Sequence, residues 1–415
     1  MKPFGIYIHI PYCLQRCPYC DFNTYATTSL PEKEYVSALL CELDFRASEP
    51  VWRGREVQSV YFGGGTPSLL NASSVEKLIN FICAAFPFQP TAEISLEANP
   101  GTVSGDTLAA FREAGINRLS LGIQSFNEEM LRTLGRIHSP QQCESAICDA
   151  RTAGFRNLSI DLIYGIPGQT LADWRTDLKT AVRYVPEHLS AYGLTIEKGT
   201  PFFESCRKGL IRLPEENTII RMMGALHSTL CEAGFRRYEI SNYARPGREA
   251  RHNLSYWNGQ DYLGLGAGAH SFVSAEREEA DAFGQRWANF AEPVKYMREA
   301  AAHGHALSWK DVLDRKAAMF EYFFLGLRKT EGVSLRMFQE RFGLSVEEAY
   351  PAVIEILREQ KHATLSEDRF SLTERGLMLA DSVFEFFTED KIKNDAPLNP
   401  ALRKNQNTPL LREAP

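Results

Sequence analysis

The stretch FGIYIHIPYCLQRCPYCDF, residues 4–22, combines an apolar segment of the strand type with three closely spaced cysteines. Cys13, Cys17 and Cys20 are separated by three and then by two residues, and no fourth cysteine follows nearby. The two prolines of this stretch disfavour a helix, so we expect the cysteines to lie in a loop after the first strand. Three thiols in one loop are typical of a metal centre that takes its fourth ligand from elsewhere.

Three kinds of site remain open from the residues alone. A structural zinc ion needs four ligands, and the nearest further donors, His9 and Asp21, lack the usual zinc spacing. A [4Fe–4S] cluster is normally held by four thiolates, so three of them leave one iron open to another ligand. Three incidental buried cysteines are the third alternative. The spacing and the loop favour the cluster.

The composition excludes several classes of protein. A length of 415 residues suggests two or three domains, and a net charge of −6 argues against nucleic-acid binding through a general basic field. No apolar run reaches the roughly 18 residues of a membrane span, and the N-terminus lacks the features of a signal peptide. Nine cysteines, mostly scattered, do not suggest a disulfide framework, so we expect a reducing, cytoplasmic location.

Apolar segments of the strand type alternate with amphipathic helical stretches through the first half of the chain. The strand candidates are FGIYIHI (4–10), VQSVYF (57–62), AEISLEA (92–98), INRLSLGI (116–123), NLSIDLIYG (157–165), HLSAYGLTI (188–196) and FRRYEIS (235–241). Their spacing of roughly thirty residues predicts parallel βα units. Six or seven such units without a clear eighth predict an α/β fold, a partial (β/α)6–7 barrel of the TIM type, over residues 1–235.

Unusual polar or glycine residues follow most of these strands. The cysteines follow the first strand, and GGGTP (63–67) follows the second. Glu97, Gln124, Asp161 and Thr195 lie at or near the ends of the next four. Because the chemistry of such barrels lies at the C-terminal ends of the strands, we expect these residues to gather at one rim.

The pattern changes after the predicted barrel. Residues 236–305 form a predicted connecting region that contains RHNLSYW (251–257) and LGLGAGAHSF (263–272). The glycines of the second stretch follow no clear strand, which favours close backbone packing over a dinucleotide site. Helical patterns and a hairpin over 306–388 predict a helical, winged-helix-like C-terminal domain, and the acidic balance argues against a role on DNA. The Pro- and Asn-rich residues 389–415 are predicted to be disordered.

The motifs around the cysteines resemble those of the radical S-adenosylmethionine superfamily. Tyr7-x-His-Ile-Pro-x-Cys13-x3-Cys17-x-Tyr19-Cys20, followed by GGGTP, carries the resemblance, which extends over about residues 4–385. YIHIPYC, YFGGGTP, GIQSF, IDLIYGIPGQT and HNLSYW more narrowly resemble the oxygen-independent coproporphyrinogen dehydrogenase family and its heme-chaperone branch. The resemblance implies a [4Fe–4S] cluster on the three cysteines, with an open iron that binds S-adenosylmethionine.

The resemblance also implies which residues contact S-adenosylmethionine. Tyr7, Gly64 and Glu97 match the contacts to a first molecule. The residues that match a second such site are Tyr19, Gly65, Thr66, Gln124, Arg136, Asp161 and Thr195. By residue chemistry alone, Glu97 can accept from a hydroxyl or an ammonium group, or form a salt bridge at the rim, and the second set can be a structural polar network.

Two departures and one motif separate the chaperone branch from the dehydrogenase. The dehydrogenase has a further cysteine where this chain has Phe22, and an N-terminal extension that we do not expect here, since the first strand begins at about residue 4. In RHNLSYW, the neutral imidazole of His252 suits iron, and Tyr256 and Trp257 can stack on a porphyrin. The alternative is a loop histidine bonded to the backbone.

We therefore predict a cytoplasmic heme chaperone on a radical S-adenosylmethionine scaffold, without coproporphyrinogen dehydrogenase activity. Its expected cofactors are the cluster, S-adenosylmethionine and heme, and its expected acceptors are apo-hemoproteins, such as respiratory ones at the membrane. A second copy of the chain is an expected partner in a homodimer; nucleic acid is not expected. The alternative is an oxygen-independent coproporphyrinogen III dehydrogenase of porphyrin biosynthesis, which decarboxylates propionates by radical chemistry.

Overall fold

The computed structural model describes residues 1–275 and 282–388, and strands alternate with helices along most of this length. The predicted disordered tail, 389–415, lies outside the described residues. The elements of the first 235 residues are β1 (Phe4–Ile10), β2 (Tyr12–Cys13), β3 (Tyr25–Ala26), α1 (Glu32–Ser48), β4 (Val57–Gly64), α2 (Ala72–Ala85), β5 (Phe88–Ala98), α3 (Gly105–Glu113), β6 (Arg118–Gln124), α4 (Glu128–Thr133), α5 (Pro140–Thr152), β7 (Leu158–Tyr164), α6 (Leu171–Arg183), β8 (His188–Gly193), α7 (Pro201–Arg207) and α8 (Glu216–Glu232).

The remaining elements fall into two groups. The first group is β9 (Arg236–Arg237), β10 (Asn242–Ala244), α9 (Arg251–Trp257), β11 (Tyr262–Leu265), β12 (His270–Ser274), β13 (Gly284–Asn289), α10 (Pro293–His303) and β14 (Leu307–Leu313). The second group is α11 (Arg315–Gly326), β15 (Val333–Ser334), α12 (Leu335–Phe342), α13 (Val346–Ala349), α14 (Pro351–Glu359), β16 (Ala363–Leu365), β17 (Arg369–Leu372), α15 (Glu374–Met378) and α16 (Ala380–Phe384). Turns of 3-10 helix occur at Pro67–Leu69, Pro100–Thr102 and Glu385–Phe387.

Twelve strands form one sheet, in the order β14-β13-β12-β11-β1-β4-β5-β6-β7-β8-β10-β9. The strands from β11 to β8 pair in parallel, and the strands at both edges pair antiparallel. All seven residues of β1 are buried, as expected for a parallel strand that is covered on both faces. The fold is thus the predicted α/β partial barrel.

The helices begin where the sequence provides capping residues. Ser104, Ser139 and Thr170 form capping boxes at the starts of α3, α5 and α6, so the chain turns back along the sheet at defined positions. Each helix returns the chain to the N-terminal edge of the next parallel strand. The C-terminal ends of the parallel strands therefore meet at one rim, which is where the predicted site residues lie.

The seventh parallel strand is not the one that the sequence predicted. The candidate 235–241 forms only the two-residue strand β9, which pairs antiparallel at the edge of the sheet. The seventh parallel strand is β11, which pairs with β1 and lies in the predicted connecting region. Four residues, one of them glycine, are too few to give a strand signal in the sequence. A Cβ at Gly264 would overlap the carbonyl oxygen of His270, so this strand confirms the predicted close backbone packing.

Buried polar contacts fasten these added strands to the first part of the chain. The Glu42 carboxylate on α1 accepts hydrogen bonds from the backbone N–H of Gly266 and from Asn289 and Tyr296. Asp261 forms a buried ion pair with Arg55 at 2.7 Å. These contacts all join residues that are more than two hundred positions apart in the sequence. The connecting region is consequently part of the sheet that holds the rim.

The C-terminal part has its own core and a three-stranded sheet in the order β15-β17-β16. Phe323, Phe338 and Phe370 are fully buried in that core. It contacts the barrel through ion pairs such as Arg286 with Glu321, at 2.7 Å. This helical C-terminal domain with a small sheet agrees with the fold prediction. Within the described residues, no helix combines the length and apolar character that crossing a membrane requires.

Candidate functional site at the barrel rim

The loop after β1 carries the three cysteines and is closed at its base by backbone hydrogen bonds. Strands β2 and β3 pair in parallel across the loop, and the N–H of Thr27 donates to the carbonyl of Cys13 at 2.8 Å. The N–H of Cys20 donates to the carbonyl of Cys17 at 3.1 Å, which forms a tight turn between these two residues. All three thiols are free and partly buried. The predicted loop is therefore present.

Each of the three sulfurs has a side-chain hydrogen-bond partner. The Thr66 hydroxyl donates to Cys13 Sγ at 3.4 Å, and Arg136 Nη1 donates to Cys17 Sγ at 3.6 Å. The Thr24 hydroxyl lies 3.7 Å from Cys20 Sγ. Burial raises the pKa of the Cys13 thiol to about 11, so the thiolate form needs a compensating positive charge.

This donor set fits an iron–sulfur cluster better than a single metal ion. Within residues 1–275 and 282–388, no three His, Cys, Asp or Glu side chains converge closely enough to hold one ion. A cubane is held at separate corners, so its ligands need not converge on one point. Arg136 adds a positive charge, and its buried Nε has no hydrogen-bond partner among the described residues. The guanidinium thus keeps a donor for an anionic ligand beside the thiols.

The first predicted S-adenosylmethionine set lies together on the wall of one small cavity of about 70 Å³. Tyr61 donates its hydroxyl to Glu97 Oε1 at 2.7 Å, and the N–H of Gly64 donates to Glu97 Oε2 at 3.2 Å. The Tyr7 hydroxyl lies 2.9 Å from His9 Nδ1. The pKa of Glu97 is raised to about 7, because burial and the nearby Asp161 raise it more than the hydrogen bonds from Tyr61 and the Gly64 N–H lower it.

Two residues at this site were not predicted from the sequence, and one of them, His9, lines the cavity. Tyr61 holds the Glu97 carboxylate, and His9 lies between the Tyr7 hydroxyl and the carbonyl of Asn23. Both residues belong to motifs that the sequence singled out, YFGGGTP and YIHIP. Their direction toward the cavity follows from strand alternation, since Tyr7, His9 and Tyr61 lie on the same face of neighbouring strands β1 and β4.

We predict that Gly64→Ala weakens this wall more than an ordinary glycine substitution does. Gly64 has a φ of 112°, and an added Cβ would lie 2.6 Å from the His9 ring. The variant should lose about 1–3 kcal/mol of unfolding free energy, from backbone strain and displacement of His9. Gly54→Ala is the matched control, because Gly54 also has a positive φ but has nothing within 4 Å of the added atom. Equal losses in urea unfolding of both variants would contradict the prediction.

The second predicted set is brought together only in part. Arg136 donates from Nη2 to the carbonyl of Gly122 at 3.0 Å and bonds Cys17, which is two residues from Tyr19. Gln124 ends β6 with a φ of 66°, an uncommon conformation for a residue that is not glycine. Thr195 is exposed, and its hydroxyl donates to the carbonyl of Gly193. Thr66 and Gly65 lie against the cysteine loop, where the Gly65 N–H donates to Ile10.

Asp161 lies in the middle of β7 rather than at its end. Its carboxylate accepts hydrogen bonds from the hydroxyls of Ser120 and Ser159, at 2.9–3.0 Å. Burial raises the pKa of Asp161, and the serine hydrogen bonds lower it. In this conformation the carboxylate belongs to the polar network inside the barrel, which was the alternative that the sequence left open. Contact of Asp161 with a second S-adenosylmethionine stays a prediction.

His252 is fully buried at the start of α9, and both of its ring nitrogens have partners. Nδ1 lies 2.9 Å from the Ser59 hydroxyl and Nε2 lies 2.8 Å from the Tyr256 hydroxyl. Burial lowers the pKa of His252 to about 3, so the ring is neutral at physiological pH. The alternative interpretation, a loop histidine bonded to the backbone, is wrong, because His252 lies in a short helix and its ring bonds two side chains. Its role as a heme ligand stays a prediction.

Comparison with known proteins identifies the superfamily to which this fold and this site belong. Residues 7–181 match the model of the radical SAM superfamily, where SAM is S-adenosylmethionine, and residues 313–379 match the HemN C-terminal domain. The solved structure of coproporphyrinogen III oxidase (HemN) from Escherichia coli, described as a radical SAM enzyme, has a TM-score of 0.79 and 26% identity. That likeness covers 94% of this chain and 91% of the other. The chain is therefore a radical SAM protein with a HemN-type C-terminal domain.

Relatives that match this chain over nearly its full length identify the family within the superfamily. A protein of Escherichia coli K12 named heme chaperone HemW is 37% identical over 388 residues, which are 93% of this chain and 98% of the relative. Proteins of the same name from Bacillus subtilis and Lactococcus lactis are 36% and 34% identical, over 92% and 94% of this chain. They are covered over 98% and 99% of their own lengths. The chain belongs to the HemW family.

Proposed function

We propose that this protein is a heme chaperone that carries a [4Fe–4S] cluster, binds SAM and passes heme to apo-hemoproteins. The observation that carries the proposal is the likeness, over nearly the whole chain, to proteins named heme chaperone HemW, at 34–37% identity. Identity to the HemN structure, the enzymatic alternative, is lower, at 26%. The partly exposed Phe22, in place of a further cysteine, also supports the chaperone.

The rim residues are the proposed binding site for the cluster and for SAM. Cys13, Cys17 and Cys20 would hold the cluster, with Thr66 and Arg136 donating toward the sulfurs. A reduced cluster of this kind supplies one electron to the bound sulfonium. Glu97, oriented by Tyr61 and the Gly64 N–H, would accept from a hydroxyl or ammonium group of SAM. A second SAM site would use the remaining predicted residues of the rim.

His252 is the proposed heme ligand, and its coordination to iron requires a local opening. A neutral imidazole has the free electron pair that iron needs, and burial keeps His252 neutral. In the closed conformation its nitrogens bond Ser59 and Tyr256, so one of these bonds must break before iron can bind. The free state of all nine cysteines fits action in the reducing cytoplasm. A homodimer would place two such sites in one assembly.

The test uses anaerobically reconstituted protein with two readouts. Heme titration should show one heme per chain, followed by transfer to an apo-hemoprotein, as the spectrum of the acceptor reports. Incubation with reductant, SAM and coproporphyrinogen III should yield no protoporphyrinogen. Turnover of coproporphyrinogen without heme transfer would contradict the proposal and favour the dehydrogenase.

Two variants of α9 test the proposed ligand. His252→Ala should reduce heme affinity by about tenfold or more, since an axial iron ligand is lost. Tyr256→Phe keeps the imidazole and removes one of its hydrogen bonds, so heme should bind faster than to the unaltered protein, as stopped-flow absorption can show. Slower or unchanged binding in Tyr256→Phe would contradict an opening that frees His252.

A further inference from the structure

The helix α9 supports the cavity that contains Tyr7 and Glu97, and one of its residues, Tyr256, lines that cavity. The ring of His252 stacks on Tyr61, with centroids 5.1 Å apart and planes inclined by 20°. It also contacts the Tyr7 ring, at 6.4 Å and 30°, while Tyr7 and Tyr61 lie 6.3 Å apart. The three rings thus form one cluster, in which the imidazole contacts both Tyr7, which lines the cavity, and Tyr61, which bonds Glu97.

The position of the imidazole is itself fixed from several directions. Ser59 on β4 and Tyr256 on α9 bond its two nitrogens. The Glu93 carboxylate on β5 accepts the backbone N–H groups of Arg251 and His252, each at 3.2 Å. At the other end of the helix, Lys329 of the C-terminal domain donates to Asn258 at 2.6 Å. The helix is consequently held at both ends, and His252 has little freedom to rotate.

We infer that His252 is a positioning residue of the SAM cavity: by fixing the Tyr61 ring, it keeps the Tyr61 hydroxyl on Glu97. This inference rests on the proposed SAM site and adds a role for His252 in the closed conformation. The contacts form a continuous series. The Ser59 and Tyr256 hydroxyls bond the imidazole, and the imidazole stacks on the Tyr61 ring. The Tyr61 hydroxyl in turn donates to the Glu97 carboxylate. Loss of the imidazole leaves space into which Tyr61 can rotate.

The consequence can be measured through the protonation of Glu97. Its hydrogen bond from Tyr61 lowers the pKa of the carboxyl, which burial raises to about 7. A displaced Tyr61 therefore raises this pKa further, and SAM binding that needs the carboxylate shifts to higher pH. The other titratable groups that face Glu97 or line the cavity are Asp161, Tyr192, Tyr7, His9, Tyr256, Tyr262 and His270. They are unchanged in the variants below.

The experiment measures the SAM affinity of the reconstituted protein by equilibrium dialysis between pH 5 and 9, about two units on either side of the Glu97 pKa. His252→Ala should weaken SAM binding about tenfold near pH 7 and raise the midpoint of the pH profile, and Tyr61→Phe should do the same. His252→Gln keeps a flat polar group of similar reach, so its SAM affinity should stay within about threefold of that of the unaltered protein. Asn253→Ala on the same helix is the control and should match the unaltered protein.

The outcomes separate this inference from the proposed function. Unchanged affinity and an unchanged midpoint in His252→Ala would overturn the inference. A weaker affinity with an unmoved midpoint would also overturn it, because such a change reflects general destabilisation rather than a displaced Tyr61. If Glu97→Gln itself leaves SAM binding intact, the proposed SAM site fails instead. Melting temperatures and cluster content of each variant confirm that the folded, loaded protein is compared.

Discussion

Replacing any one of Cys13, Cys17 and Cys20 with serine is expected to reduce the iron and sulfide content of the reconstituted protein to less than about a tenth. The three thiols are the only protein ligands that we propose for the cluster, and a serine hydroxyl is a poor ligand for iron. Each thiol also has a side-chain hydrogen-bond partner, so its loss removes one stabilised corner. Iron and sulfide analysis, with paramagnetic resonance of the reduced protein, measures the effect.

The control for the cysteine variants is Cys83→Ser. Cys83 is exposed on α2, away from the rim loop, and should keep a full complement of iron and sulfide. The barrel core does not depend on the loop sulfurs, which are partly buried at the rim, so the variants should stay folded by circular dichroism. Zinc in place of iron and sulfide, or a cluster that survives two of the three substitutions, would contradict the assignment.

The barrel was predictable because its strands are long apolar segments at regular spacing. Strands β1, β4, β5, β6, β7 and β8 all correspond to predicted segments, and each is largely buried. The rule that polar residues gather at the C-terminal ends of parallel strands then placed the cysteine loop, Gly64 and Glu97 near one another. The contact of the Gly64 N–H with the Glu97 carboxylate is the physical result of that rule.

The remaining parts depend on contacts between residues distant in sequence. Strand β11 has too few residues for a periodic signal, and it is defined by its pairing with β1. His252 has the sequence context of a ligand, yet its partner Ser59 lies 193 positions away and no local pattern indicates that bond. No local pattern indicates the hydrogen bond between Ser120 and Asp161 either, because it joins neighbouring strands in the barrel interior.

Affinity for SAM should rise with pH through about 7, and Glu97→Gln should remove this dependence. Burial raises the pKa of Glu97 to about 7, so the carboxylate that we propose as an acceptor for SAM predominates only above that value. Below pH 7 the group is protonated, and the interaction with a hydroxyl or ammonium group weakens. The glutamine variant should bind SAM about 10–100-fold more weakly at pH 8, because a charge-assisted hydrogen bond is replaced by a neutral one.

Asp177→Asn is the matched control for this prediction. Asp177 is also a buried carboxyl, and burial raises its pKa to about 6, but it bonds Ser125 and the N–H of Phe126 outside the cavity. This variant should lose stability and keep the pH profile of SAM binding, which separates titration at the cavity from titration elsewhere. If the profile moves with Asp177 and persists in Glu97→Gln, then the group that governs SAM binding is not Glu97, and the cavity between Tyr7, Gly64 and Glu97 is not the SAM site.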